Sequence, residues 1–213
     1  MLRSSITILA VALASLGVAA CQSTEQKVAA TSIDLPPMDM PSHPVGTNWV
    51  ISNGKVKGPL TIAAKDGNGE TIQSPTGCSY TRSAKNMFAP SSVWKGCEWG
   101  SGEAKVAAVA GSMFPLRVGA RQTWTWSGSS DRGYAFDGAR ECEAVAAERV
   151  TLAAGSFDAY KVVCTDTWRD GSRTITWYVA PSVGMSVLTV FGSTWGSGAR
   201  WEYVSGPHQA KSS

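Results

Sequence analysis

The sequence predicts an all-β fold, an antiparallel meander curled into a half-barrel or barrel-like body behind a disordered N-terminal tether. Three observations carry that expectation. Glycine (22 residues) and tryptophan (9 residues) are abundant in a chain of 213. No long stretch keeps the apolar period of an amphipathic helix. Turn-forming residues recur between short runs rich in Val, Thr and aromatic side chains. At this length one continuous core is a better solution than two independent domains.

The elements follow in chain order. Residues 1–20 carry one positive charge (Arg3), an apolar run from Ile6 to Leu16 and the small-residue stretch Gly17-Val18-Ala19-Ala20. That is a cleavable export signal, its apolar core too short to span a bilayer. Val18-Ala19-Ala20-Cys21 resembles the lipobox of bacterial lipoproteins. The resemblance implies that Cys21 becomes the first mature residue and carries lipid, palmitate-type acylation, on its sulfur and its amine. The alternative is an ordinary export signal cut after Ala20, which leaves a free thiol. One acyl chain anchors a protein marginally and two or more anchor it stably, so a triacylated Cys21 makes the membrane the first partner. Gln22 stands where inner-membrane retention in enteric-type bacteria depends on Asp, which points to the outer membrane with the body facing the periplasm.

Residues 21–44 hold the lipidated Cys and a proline-rich tether. Four prolines within residues 36–44 exclude helix and central strand. The tether is expected to lift the body off the lipid headgroups, with His43 solvated inside it.

The β-rich domain spans 45–206. Its candidate strands are 49–52, 58–64, 70–73, 78–82, 93–99, 103–110 and 122–127, then 140–151, 157–168, 173–179, 186–191 and 199–204. The Ala-rich stretch 103–110 also suits a short helix. Turns are explicit at Asn53-Gly54, Asp66-Gly67-Asn68-Gly69, Gly100-Ser101-Gly102, Arg169-Asp170-Gly171-Ser172 and Gly196-Ser197-Gly198. Residues 207–213, with His208, read as a flexible tail. Two halves, 45–112 and 113–206, share a Val-Gly start near Trp49 and Trp124 and a Trp-Gly-Ser-Gly close at Trp99 and Trp195. Turn chemistry accounts for that likeness as well as duplication does.

Setting Cys21 aside leaves Cys78, Cys97, Cys142 and Cys164. An even number in an exported chain reads as two disulfides. A four-thiolate zinc site is the competing reading, but no Cys-x-x-Cys pair exists and only His43 and His208 could help. A hairpin selects the pairing. Folding residues 140–168 back at Leu152-Ala153-Ala154-Gly155, with Val150 facing Ser156, sets Cys142 opposite Cys164. Ala144 then faces Val162 and Ala146 faces Tyr160 on an apolar face, while Glu141, Glu143, Arg149, Lys161, Thr165 and Thr167 share the polar one. Glu148 opposite Asp158, with Val145 and Val163 on the polar face, fits this register poorly. Cys78 and Cys97 remain for each other.

Three stretches form a wider pattern: Phe114-Pro115-Leu116-Arg117-Val118-Gly119, Glu148 through Phe157, and Thr176 through Met185. Over residues 114–188 they resemble a recurrent arrangement in uncharacterised all-β bacterial envelope proteins, with Trp177-Tyr178 standing where that arrangement has Tyr-Trp. The resemblance implies a β-rich body and no particular activity.

The chemistry is sparse. A Ser-His or Cys-His nucleophile would need a histidine in the body, and there is no Gly-x-Ser-x-Gly elbow. Phosphate-binding glycine loops are missing, since the Gly-rich segments join strands. Glu141 and Glu143, two apart, read as a solvated strand face rather than a glycosidase pair. A net charge of +3, one less once Arg3 leaves with the signal, is too small for a nucleic-acid binder. Tryptophan is the one excess with functional potential, because aromatic platforms suit sugar rings, lipid chains and protein hot spots. Trp124 and Trp126, two apart on one strand face, and Trp177 are the candidate ligand-binding residues, the alternative being that such rings simply fill a core. The expected protein is a membrane-anchored, non-catalytic envelope lipoprotein that binds a lipid, glycan or protein partner without cofactor or metal. The alternative is an inhibitor or accessory factor of a cell-wall enzyme, and a hydrolase fits less well.

Overall fold

A computed structural model of the chain describes residues 31–67, 69–98, 100–193 and 199–209. The signal segment, Cys21, residues 22–30, Trp99, Trp195, the Gly196-Ser197-Gly198 turn and residues 210–213 lie outside the described residues. The strands are β1 (Thr31–Ser32), β2 (Asn48–Ser52), β3 (Lys57–Lys65), β4 (Gly69–Gln73), β5 (Ser79–Ser83), β6 (Val93–Cys97) and β7 (Gly100–Ser112). They continue as β8 (Arg121–Ser130), β9 (Ala135–Leu152), β10 (Gly155–Trp168), β11 (Gly171–Ala180), β12 (Met185–Ser193) and β13 (Arg200–His208).

From β2 to β13 each strand pairs antiparallel with the next, and β13 returns to β2. Of the expected half-barrel or barrel-like body, the structure has the second: a closed barrel of twelve strands. Closure removes the two long edges that an open meander would leave unpaired. The Ala-rich stretch is strand, not helix, because β8 pairs with β7 along its length, while β6 holds the start of β7 as far as Glu103. Gly100, Ser101 and Gly102 belong to β7 rather than to a turn, and the chain reverses between Cys97 and Gly100, which face each other.

The β9–β10 hairpin places Cys142 opposite Cys164 and Ala144 opposite Val162 as expected, but the register shifts by one residue towards the turn. Tyr160 faces Ala147 rather than Ala146, and Phe157 rather than Ser156 faces Val150. A bulge between Lys161 and Val162 absorbs the shift, leaving Val145 as the extra residue, 41% exposed. The cause is legible in the charges. An unbroken register sets Glu148 against Asp158, and like charges directly opposite are destabilising. The bulged register gives Asp158 to Arg149 at 2.6 Å. The buried side changes nearer the turn than the bulge, past Ala147 and Tyr160. Cys142, Ala144, Ala147, Tyr160, Val162 and Cys164 enter one apolar cluster with Phe88, Met113, Leu116 and Trp124. Beyond the bulge Val150, Leu152 and Ala159 enter a second with Trp49, Ile51, Ile62, Ile72 and Leu188.

The proline-rich segment, expected as a free linker, is bound to the barrel from residue 31 onward. β8 covers β9 only as far as Glu143, so the rest of that edge needs other partners. Gly119 and Ala120 supply bonds to Ala144, then Ile33 N donates to Ala147 O and β1 pairs with Arg149 and Glu148. Met38 and Leu116 exchange two backbone bonds, and the Tyr160 hydroxyl donates to Leu35 O and Pro36 O. His43 is not solvated. Its Nε2 lies 3.0 Å from Gly184 O and its ring meets Trp49 edge-on at 4.8 Å. Gly184 permits this at a φ of +68°, since a Cβ there would come within 2.7 Å of the imidazole. The start of the expected tail is likewise strand: His208 pairs with Asn48, and Gln209 Nε2 donates to Thr47 Oγ1.

Disulfides join Cys78 to Cys97 and Cys142 to Cys164, with Cα–Cα distances of 4.3 and 4.0 Å. Each stitches neighbouring stretches of the ring, one in each half of the chain, at strand pairs that are not equivalent.

Candidate functional site: a cavity inside the barrel

The inward faces of β2–β6 and β11–β13 enclose a cavity of about 620 Å³. Its lining positions run two apart along several strands, as one face of a strand requires: Trp49 and Ile51, Leu60 and Ile62, Tyr80 and Arg82, Trp201 and Tyr203. Met40, Pro41 and His43 complete the wall, so the bound N-terminal segment is part of the site. A volume of this order lies within the roughly 300–1,000 Å³ typical of small-molecule sites.

The wall is mainly aromatic and aliphatic. Trp49 is 4% exposed, and its indole Nε1 is buried without a protein partner. Trp177 meets Phe88 edge-on at 5.6 Å, and Phe88 in turn stacks on Phe114 at 5.7 Å. Tyr203 meets Phe157 edge-on at 5.4 Å and donates its hydroxyl to Gly206 O. Burial pushes the Tyr80 phenol up, with Glu70 adding to the rise and Arg82 opposing it, and burial also raises Tyr203. Both remain neutral donors at neutral pH.

Charge enters at two places. Glu70, 4% exposed, lines the cavity and accepts from Arg82 Nε at 2.9 Å and Nη2 at 2.7 Å, with Lys65 Nζ 3.6 Å from its other oxygen. Asp166, 1% exposed, accepts from Arg140 Nε at 2.5 Å and Nη2 at 2.8 Å, and from Arg173 Nη2 at 2.6 Å. Burial alone would raise the Asp166 carboxyl. The hydrogen bonds and charges of Arg140 and Arg173 outweigh it and hold the group below the ordinary carboxylate range. One turn links the two clusters, because Arg82 Nη1 donates to Met87 O and Arg140 Nη1 to the next carbonyl, Phe88 O. Arg140 also sits 5.7 Å from the centre of the Trp177 ring.

Of the candidate ligand-binding residues, Trp177 lines the cavity. Trp124 is 4% exposed within the first apolar cluster and does not line it. Trp126 faces Gly138 across the β8–β9 pair, so close that a Cβ on Gly138 would come within 2.4 Å of the ring. It lies away from the cavity lining. Trp49, Trp201, Tyr80, Tyr203, Glu70, Arg82 and Arg173 are wall residues that were not singled out from sequence. The usable signal was a charge at the same parity as an aromatic within one strand, as in Tyr80/Arg82 and Arg173/Trp177. Among the described residues no group of three or more His, Cys, Asp or Glu is placed to hold a metal, and no helix is long and apolar enough to cross a membrane.

Fold and site together define a closed antiparallel β-barrel with an aromatic, partly charged interior cavity. No protein-family model and no curated protein matches the chain. Among solved structures it is similar to the hypothetical lipoprotein YmcC from Escherichia coli (K12), with a TM-score of 0.47 at 10% sequence identity, over 77% of this chain and 85% of that one.

Proposed function

We propose that this chain is a membrane-anchored, non-catalytic envelope lipoprotein that takes a small amphipathic molecule into its barrel. The observation that carries the reading is the 620 Å³ cavity itself, walled by Trp49, Trp177, Trp201, Tyr80 and Tyr203. Aromatic rings turned inward suit a small ligand better than a docking protein. Among the described residues the exposed large hydrophobics, Val45, Val109, Val118, Tyr134 and Val145, include one aromatic residue and no tryptophan. Anchoring through Cys21 would hold the cavity beside a source of amphipathic molecules, and export through the envelope agrees with two disulfides.

The test separates wall from core. Trp201→Ala should weaken uptake of an acyl-chain probe, read by native mass spectrometry, with little change in melting temperature. Trp124→Ala should instead cost stability, about 3–5 kcal/mol for a large aromatic removed from a packed core. Unchanged uptake in a folded Trp201→Ala protein would remove the support for this reading.

A further inference from the structure

Each of the two charge clusters beside the cavity has two cations for one carboxylate, although the lining itself carries Glu70, Glu98 and Glu202 against Arg82 and Arg173. Lys65 and Arg82 serve the single carboxylate of Glu70, and Arg140 and Arg173 serve the single carboxylate of Asp166. The other acids on the wall do not correct the excess, because Glu202 is paired with Arg200 at 2.6 Å and Glu98 is exposed. Within the second cluster the division is unequal. Arg140, 9% exposed, gives Asp166 two hydrogen bonds and Phe88 O a third. Arg173 gives it only one, lines the cavity, is 41% exposed, and keeps its Nε buried without a protein partner. A guanidinium has donors in a fixed fork that matches a carboxylate or a phosphate. Arg173 thus has spare donors at the wall, on the strand that also presents Trp177.

We propose that the cavity binds an anionic amphiphile, its carboxylate or phosphate held by Arg173 with Arg82 nearby and its apolar body laid against Trp177, Trp201 and Tyr203. The inference rests on the small-ligand reading above and adds the sign of the ligand's charge. Arg173 is the specificity residue, because Arg140 alone keeps Asp166 satisfied.

The full lipidated chain, in nanodiscs of neutral phosphatidylcholine, is photolabelled with diazirine forms of hexadecanoic acid, hexadecyl phosphate and hexadecanol, and the labelled peptides are mapped by mass spectrometry. At least one of the two anions should label β11–β13 about tenfold more than the alcohol, the factor supplied by one charge-assisted hydrogen bond. Which anion does so identifies carboxylate or phosphate as the source. Arg173→Gln should bring that anion down to the alcohol's level while alcohol labelling persists, and Arg173→Lys should restore most of the preference. Equal labelling by all three probes, or an anion preference that survives Arg173→Gln, overturns the charge assignment and leaves the cavity reading standing. No labelling of cavity peptides by any probe overturns both. Should Arg173→Gln fail to fold, the anion-to-alcohol ratio of the unaltered protein decides alone.

Discussion

Asp166 shows how single residues divide between holding the barrel and furnishing the cavity. It is 1% exposed and accepts from two guanidinium groups, so removing its charge strands Arg140 in the wall. Breaking one partner of a buried pair costs about 3–5 kcal/mol, and Asp166→Asn should lose an amount of that order. The pH dependence follows from the direction of the shift. A carboxyl held below its ordinary value contributes fully above the unfolded-state value of about 3.9, and the contribution fades as pH falls through the folded value. The gap in urea midpoint between the unaltered protein and Asp166→Asn should therefore stay flat from pH 8 to about 5 and close only in stronger acid. A gap already closing at pH 6 would contradict the assignment. Much of this was hidden in the sequence. Asp166 and Arg140 are charges on strands that otherwise read as alternating, and only the β9–β10 register shows that they face each other on the buried side. The tryptophans were visible as an excess, but which arc of the ring each occupies depends on closure. Trp124 and Trp177 both belong to inward faces, and only Trp177 reaches the open part.

At the scale of elements, the strands were legible because each alternates locally and ends at a turn residue. Features set by a distant partner were not. The β9–β10 bulge is the clearest case, since alternation alone favours an unbroken ladder, and the misfits at Glu148 and Asp158 and at Val145 and Val163 were the warnings. Deleting Val145 should remove the bulge while keeping the observed pairs on both sides of it, Ala144 opposite Val162, Ala146 opposite Lys161 and Arg149 opposite Asp158, the last now at 2.6 Å. The expected result is a melting temperature little changed, because Val145 is 41% exposed and Val150 and Leu152 keep their partners and their places in the second apolar cluster. A marked drop in melting temperature would mean that the extra residue itself, and not the charge pairing beyond it, holds the hairpin together. The disulfide at Cys142 and Cys164 lies on the other side of the bulge, where the expected and observed registers coincide. Local charge and apolar pattern sufficed there because the two strands are consecutive in sequence and alternate without interruption on that side of the bulge.

The whole molecule is organised by two unpaired edges and their solutions. The first is closed by β13 on β2, a pairing across the full length of the body that no local pattern announces. The second is the end of β9 left bare by β8, and the chain covers it with its own N-terminal segment. Covering that edge changes what the proline-rich stretch does. Had all of 22–44 been free, a lipid on Cys21, as proposed above, would let the body stand up to about 80 Å from the membrane, at roughly 3.5 Å per extended residue. With residue 31 fixed on β9 and His43 fixed on Gly184, the span from Cys21 to Thr31 reaches about 35 Å at most. The same segment places Met40, Pro41 and His43 in the cavity wall, so the N-terminal segment and the cavity share a boundary. Neutron reflectometry of the lipidated chain on a supported bilayer should accordingly find the barrel beginning within about 35 Å of the headgroups. Inserting ten Gly/Ser residues after Lys27 should let the barrel move away without changing its melting temperature, because the insertion precedes every described contact. A gap well beyond that reach in the unaltered chain would show that the segment leaves the barrel at the membrane. The cavity wall would then be open on the side of His43.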